Sequence, residues 1–208
     1  MSPLIEHFTP SFESALIENT RSRLATTRFP DAETVEDWKQ GLPLHYCQEL
    51  VRYWLDEYDW QRVPTRLSAF DNFITEIDGL PIHFLHIRSP HSNARPLLMT
   101  HGWPGSVLEF LDIIAPLTNP TQRGGEACDA FHLIIPSLPG YGFSGKPTSV
   151  GVGVNAIAMM WDALMVRLGY DRYVAQGGDW GSLVTHAILL LERTHCIAGH
   201  INLPVVAP

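Results

Sequence analysis

The sequence predicts an α/β fold, with a largely parallel sheet that carries helices on both faces. Strand-like and helix-like segments alternate after an opening β-hairpin, and several strands are continuous apolar runs of the kind that is buried on both faces. Glycine-rich turns follow the ends of these strands. Because ligands bind at the carboxyl ends of strands in such sheets, these turns are the first places to look for a site.

Composition and charge restrict the class of protein. The 208 residues include 14 Lys and Arg against 22 Asp and Glu, a net charge of −8, and 45% are hydrophobic. This composition excludes a disordered chain, and the acidic balance argues against nucleic acid or an anionic membrane as partner. No apolar stretch reaches the ~18–20 residues of a membrane span, and no secretory signal is visible.

The number and spacing of the cysteines indicate the cellular compartment of the protein. Cys47, Cys128 and Cys196 are an odd number and lack metal-type spacing. They favour reduced thiols, so we expect a cytoplasmic protein. The sequence does not define its oligomeric state.

The first third of the chain is mainly helical. Residues 11–26 fit an amphipathic helix that Phe29-Pro30 stops, and Pro43 suits the first turn of a second helix. We therefore predict a helical extension over residues 1–72, followed by the sheet over residues 73–208. The second helix is marked by a wide apolar stripe with a 3.6-residue period, typical of core packing: Leu44, Cys47, Leu50, Val51, Trp54, Leu55 and Tyr58.

The second part opens with a hairpin, in which residues 73–77 and 81–87 are strands around the turn dipeptide Asp78-Gly79. A capping box formed by Ser106 and Glu109 opens the first helix after it. The other predicted elements are, in chain order, a strand at 96–100, this helix to about 117, a strand at 130–135, a helix at 155–168 ended by Gly169, a strand at 172–176, a helix at 180–193 and a strand at 196–203.

A candidate nucleophile, Asp179, lies on the turn between the strand at 172–176 and the next helix. Small residues two before and two after it, Gly177 and Gly181, are what a strained strand-to-helix turn needs, and Gly178 adds to its tightness. A carboxylate at a helix N-terminus stays ionised, and it can attack a saturated carbon to form an ester. The alternative is that Asp179 only caps the helix, a common role for Asp.

A second candidate segment, residues 101–106 (HGWPGS), follows the strand at 96–100. Hydrolysis of an ester on Asp179 passes through an oxyanion, which needs prearranged N–H donors. The amide of Trp180, the residue after the nucleophile, is one donor, and Trp103 is the candidate for the other. Pro104 has no N–H and stiffens the loop, and its tertiary amide makes a cis Trp103–Pro104 bond accessible. Read alone, the segment is also compatible with a tight turn before a capped helix.

Other patterns are weak as sites. The glycines at 140, 142 and 145 spell a dinucleotide fingerprint, but a loop follows them where a helix should open, so we expect no nucleotide cofactor. His83 and His86 point to opposite faces of one strand, which is poor metal geometry, and we expect no metal. His186 lies about two turns beyond Asp179, ~10 Å away, and we expect a packed histidine there.

Three segments together carry a family resemblance: residues 101–106, 138–144 (LPGYGFS) and 177–182 (GGDWGS). They resemble the epoxide hydrolases of the microsomal type, which have the α/β-hydrolase fold. Residues 23–30 (RLATTRFP) and 75–79 (TEIDG) resemble that family's N-terminal extension. The resemblance runs over essentially the whole chain.

The resemblance implies a function. Asp179 would attack a carbon of a small apolar epoxide, and water would cleave the resulting ester to a vicinal diol. Trp103 and Trp180 match the oxyanion positions of the family, with His101, Gly102, Pro104, Gly177, Gly178 and Gly181 in support.

The resemblance also implies that parts of the machinery are absent. The family's general base, its acid partner and the two tyrosines that hold the epoxide oxygen correspond to residues beyond the last strand here, where a cap domain would begin. We therefore expect the 208-residue chain to be incomplete and inactive by itself. A haloalkane dehalogenase-like hydrolase with the same Asp nucleophile is the alternative enzyme, and a non-catalytic paralogue that acts through binding is the alternative of another class.

Overall fold

A computed structural model describes residues 4–192 and 194–204 of the chain. They divide into two compact units. Residues 10–66 form one unit, whereas residues 4–9 and those from 67 onward form the other.

The unit of residues 10–66 is mainly helical. In its longest helix, α2 (Leu44–Asp56), the predicted apolar stripe is half-buried except at Trp54, which is exposed, and Tyr58 lies beyond the end of the helix. The Glu33 carboxylate accepts the N–H of Leu44 at 2.8 Å, which satisfies the first amide of α2. The Arg21 guanidinium of the preceding helix donates to the carbonyl of Leu55. The helices are α1 (Ser14–Ala25), α2 (Leu44–Asp56) and α3 (Arg62–Leu67), of which the last residue of α3 belongs to the other unit.

The second unit is built on one mixed sheet of seven strands within the described residues. The strands are β1 (Ile5–His7), β2 (Asn72–Ile77), β3 (Leu80–Ile87), β4 (Arg95–Thr100), β5 (Phe131–Pro136), β6 (Tyr173–Gly177) and β7 (Cys196–Ile201). Their order in the sheet is β1-β2-β3-β5-β4-β6-β7. Strands β4 to β7 are mutually parallel, and β2 runs the same way, because it is antiparallel to β3 and β3 is antiparallel to β5. Only β1 and β3 run against this direction, so the predicted, largely parallel fold is confirmed.

Helices lie on both faces of the sheet. On β4, Leu97 and Met99 face a groove that α4 (Leu111–Thr118) lines. Leu98 points to the other face and joins the core cluster that includes Val184 of α6 (Trp180–Leu189). Helix α5 (Val154–Arg167) contributes the fully buried Trp161 to the same cluster.

The predicted elements are present, with differences at their ends. The segment after Ser106 begins as a 3-10 turn over Val107–Phe110, and the Ser106 hydroxyl accepts the N–H of Leu108, not that of Glu109 as in the predicted capping box. The tighter turn brings the Leu108 amide into reach one residue earlier. Helix α6 ends at Leu189, and the predicted end at Arg193 lies outside the described residues, as do residues 205–208. The sequence does not predict strand β1, since three residues are too few to show a period.

Two buried histidines of β3 are held neutral. His83 has Ser137 Oγ at 2.9 Å and Asn72 Oδ1 at 3.0 Å from its two ring nitrogens, and His86 pairs with the hydroxyl of Tyr170 at 2.9 Å. Burial lowers the pKa of each histidine to about 4 from the ordinary 6.5.

We therefore expect the chain to lose stability in mild acid. Between pH 6.5 and 4 the two histidines are protonated in the unfolded chain and neutral in the folded chain. Their contribution to the free energy of unfolding is therefore complete above pH 6.5 and falls as the pH is lowered towards 4. Each histidine contributes up to about 3 kcal/mol over this interval. Urea unfolding from pH 7 to pH 4.5 measures the effect, and His86→Gln should flatten the slope. A urea midpoint that does not move over this range would contradict the assignment.

Candidate active site

Asp179 lies on a strained elbow between β6 and α6. Its backbone has φ 51° and ψ −125°, a positive φ that few non-glycine residues adopt. The chain also approaches itself closely here. A Cβ added to Gly177 would lie 2.0 Å from the carbonyl oxygen of Gly181, and one added to Gly181 would lie 2.0 Å from that of Thr100. The glycines noted in the sequence are therefore sterically required.

The Asp179 carboxylate faces two backbone amides. The N–H of Trp103 donates to Oδ1 at 2.8 Å, and the N–H of Trp180 donates to the same carboxylate. The bond from Trp180 and, to a smaller extent, the bond from Trp103 lower the pKa of Asp179 below its ordinary value of 3.8. Asp179 occupies the N-cap position of α6 without the usual side-chain capping bond, and its carboxylate faces the amides of Trp103 and Trp180.

The loop of residues 101–106 delivers the Trp103 amide. Gly102 permits the approach, because a Cβ on it would lie 2.4 Å from Asp179 Cβ. The Trp103–Pro104 bond is cis, and Gly105 N–H donates to the Gly102 carbonyl at 2.9 Å. In this loop the Trp103 N–H points at Asp179.

His101 joins this loop to the segment of residues 138–144. It is fully buried, with Nδ1 3.1 Å from the Gly102 carbonyl oxygen and Nε2 3.1 Å from the amide nitrogen of Leu138. Since a backbone amide can only donate, Nε2 is the acceptor and the proton sits on Nδ1. Burial lowers the pKa of His101 and favours this neutral form. The ring also makes an edge contact with Tyr141.

Two neighbours of the elbow were not predicted as site residues. Desolvation raises the pKa of Glu109, an accepted N–H from Ser106 lowers it, and the Asp179 charge raises it further. Asn202, just after β7, has its Oδ1 2.7 Å from where a Cβ on Gly178 would lie. Asn202 follows the carboxyl end of a predicted strand, and this position alone could have indicated a site residue.

An apolar groove of about 660 Å³ runs along the sheet face between α4 and strands β6 and β7. Glu109, Gln176 and Asn202 line the end that lies nearest the elbow, and Asp179 is not in its lining. The side chains of Trp103 and Trp180, whose backbone amides face the carboxylate, are 65% and 50% exposed.

The glycine-rich segment at 140–145 and His186, which the sequence does not favour as sites, lie outside the Asp179 site. The glycines at 140, 142 and 145 form a turn that Gly140 N–H closes on the Gly145 carbonyl. His186 is exposed on α6, and the expected packing of this side chain is wrong, because it points away from the sheet face of the helix. Within residues 4–192 and 194–204, no three His, Cys, Asp or Glu side chains gather as metal ligands, and no helix is long and apolar enough to cross a membrane.

Comparison with known families matches both parts of the chain. The model described as "Epoxide hydrolase N terminus" matches residues 5–110, and the model described as "alpha/beta hydrolase fold" matches residues 95–201. The first accounts for half of the chain, and the second includes both the Trp103 loop and the Asp179 elbow.

Individual proteins give the same assignment. A protein of Stigmatella aurantiaca (strain DW4/3-1), provisionally named an epoxide hydrolase, is 56% identical over 94% of this chain and 44% of its own length. Epoxide hydrolase 1 of Sus scrofa is 39% identical over 80% of this chain and 37% of its own. The crystal structure of juvenile hormone epoxide hydrolase from the silkworm Bombyx mori superposes with a TM-score of 0.84 at 34% identity, over 97% of this chain and 53% of that one.

The Aspergillus niger epoxide hydrolase superposes with a TM-score of 0.85 at 32% identity, over 100% of this chain and 54% of that one. The chain thus spans less than half the length of these curated relatives and about half of the solved structures. It belongs to the epoxide hydrolase family and has the α/β-hydrolase fold.

Proposed function

We propose that Asp179 opens a small apolar epoxide by forming an ester with it. The observation that carries the proposal is the 2.8 Å hydrogen bond from Trp103 N–H to Asp179 Oδ1 on a positive-φ elbow. This arrangement holds an ionised carboxylate at a fixed angle, close to where an ester oxygen must later be stabilised.

The chemistry proceeds in two steps. A carboxylate oxygen of Asp179 bonds to an epoxide carbon as the ring C–O bond breaks, and the ring oxygen takes a proton from solvent water, which becomes hydroxide, to form a hydroxyl group. Water then attacks the ester carbonyl, and the resulting oxyanion lies against the amides of Trp103 and Trp180. Its collapse releases a vicinal diol and restores the carboxylate.

We further propose that the inactivity expected of the 208-residue chain is a lack of turnover. The chain performs the first step slowly, without the tyrosines that hold the epoxide oxygen, and does not sustain the second. The second step needs a general base to activate water. No histidine hydrogen-bonds Asp179 in the described part of the chain, and the family resemblance assigns the base to a part of the relatives that this chain does not match. The three unpaired cysteines agree with a cytoplasmic location.

The alternative enzyme is a haloalkane dehalogenase-like hydrolase, which uses the same nucleophile to displace a halide. The match of residues 5–110 to the epoxide hydrolase N terminus favours the epoxide. The alternative of another class is a paralogue that binds a partner without chemistry.

Reaction with a matched pair of four-carbon compounds, 1,2-epoxybutane and 1-chlorobutane, tests the proposed function. We expect slow gain of one epoxide molecule per chain by intact mass, less than one equivalent of diol, and no chloride release. Chloride release would favour the dehalogenase. A chain inert to both compounds would favour the binding paralogue, and sustained diol formation abolished by Asp179→Asn would contradict the inactivity.

A further inference from the structure

His101 is a buried polar residue that the proposed mechanism leaves without a part. It is 0% exposed and lies directly before the loop that carries the Trp103 amide. Both of its ring nitrogens are engaged with backbone atoms of two different segments. A buried imidazole satisfied in this way fixes the segments that it joins.

We propose that His101 is a positioning residue for the Trp103 amide, and that it acts through the hydrogen bond between its Nε2 and the N–H of Leu138. This inference rests on the proposed function of Asp179, to which it adds a residue that sets the geometry. His101 itself touches neither Asp179 nor a substrate.

The two hydrogen bonds of the His101 imidazole join it to segments at different distances along the chain. Nδ1 donates to the carbonyl of Gly102, the next residue, so this bond stays within the loop. Nε2 accepts from Leu138, which is 37 residues away and follows β5, so this bond ties the loop to a separate strand end. Only the second bond can hold the loop against the rest of the sheet.

The anchor on the far side is itself rigid. Leu138 is buried, and Ser137 beside it donates its N–H to the His83 carbonyl at 2.8 Å. The hydroxyl of Ser144 donates to the Ser137 carbonyl at 2.7 Å and closes this segment on itself. Because the Leu138 amide is fixed in place, its hydrogen bond to His101 also fixes the position of the loop.

On the near side the loop is short and tight. Gly102 leaves no space between the loop and Asp179, since a Cβ there would lie 2.4 Å from Asp179 Oδ1. A small rotation at His101 therefore moves the Trp103 amide directly against or away from the carboxylate. A misplacement of about 1 Å lowers reactivity on the order of 100-fold.

Two variants of His101 separate the two bonds. The shorter amide side chain in His101→Asn would occupy the place of Nδ1, so this variant loses the link to Leu138. The longer amide side chain in His101→Gln would reach the place of Nε2, so this variant keeps an acceptor for the Leu138 N–H. His86→Gln is the matched control, since it alters another buried histidine of the same unit whose partner is Tyr170.

The first readout needs no substrate. In a chain labelled with ¹⁵N-tryptophan, six backbone amide signals are expected, and Trp103→Phe identifies the one from residue 103. We expect this signal far downfield in the wild type, because it bonds a carboxylate. It should shift upfield in His101→Asn and stay in place in His101→Gln and His86→Gln.

The second readout is the rate of covalent capture of 1,2-epoxybutane. We expect His101→Asn to react about 100-fold more slowly than the wild type, and His101→Gln to stay within about threefold of it. A Trp103 signal that moves only in His101→Asn, together with a wild type that forms no adduct, would support the positioning role of His101 and contradict the proposed function. His101→Asn with unchanged signal and rate would overturn the positioning role. Equal losses in both His101 variants, or unfolding of both, would also overturn it, because Nε2 would then have no separate effect.

Discussion

Replacing Asp179 with asparagine is expected to abolish covalent capture of an epoxide while the fold is retained. An amide oxygen is a poor nucleophile, so the rate should fall below about one-thousandth of the wild-type rate. The fold should survive because asparagine tolerates a positive φ and its oxygen can still accept the Trp103 N–H. Intact mass after incubation with 1,2-epoxybutane measures the rate, and circular dichroism checks the fold.

Asp171→Asn is the matched control for this variant. Asp171 is an exposed carboxylate on the turn before β6, so its replacement removes the same charge from the same unit without touching the elbow. It should react at the wild-type rate. Equal reaction by the Asp179→Asn chain would assign the capture to another side chain.

The second large effect is expected from Gly181→Ala. The added methyl group would lie 2.0 Å from the carbonyl oxygen of Thr100, so α6 cannot keep its place against β4. Both atoms belong to backbone or Cβ positions that no rotamer can move, and overpacking of this kind should lower the free energy of unfolding by more than about 3 kcal/mol.

Gly153→Ala provides the comparison for this glycine. Gly153 precedes α5 with φ −104°, and a Cβ added there meets nothing within 4 Å. It should cost no more than about 1 kcal/mol, through the weaker N-cap that alanine makes. Urea unfolding of the two variants gives the difference, and equal stabilities would contradict the close packing at the elbow.

The parts of the fold that could be predicted from the sequence are those with a local cause. The hairpin follows from Asp78-Gly79 between alternating strands, and the structure has that turn with both residues at positive φ. The elbow follows from the spacing of Gly177 and Gly181 around Asp179, because the steric demand acts within a few residues. The apolar stripe of α2 likewise follows from one helical period.

The parts that could not be predicted depend on contacts between distant residues. Nothing near His101 in the sequence indicates that Leu138 satisfies its Nε2, because that bond exists only when β4 and β5 lie side by side. The influence of Asp179 on Glu109 also arises only when the chain folds back on itself. Three-residue β1 pairs with β2 across more than 60 positions, and its sequence alone shows no period.

The position of the covalent adduct shows which side chain is the nucleophile. The purified chain is incubated with 1,2-epoxybutane at pH 7, where the lowered pKa keeps Asp179 ionised and the buried histidines are neutral, then digested and sequenced by tandem mass spectrometry. We expect one added epoxide molecule, bound through an ester to Asp179, in the peptide that contains residues 177–182. An adduct on a cysteine, a histidine or another carboxylate, with Asp179 unmodified, would contradict the assignment to Asp179.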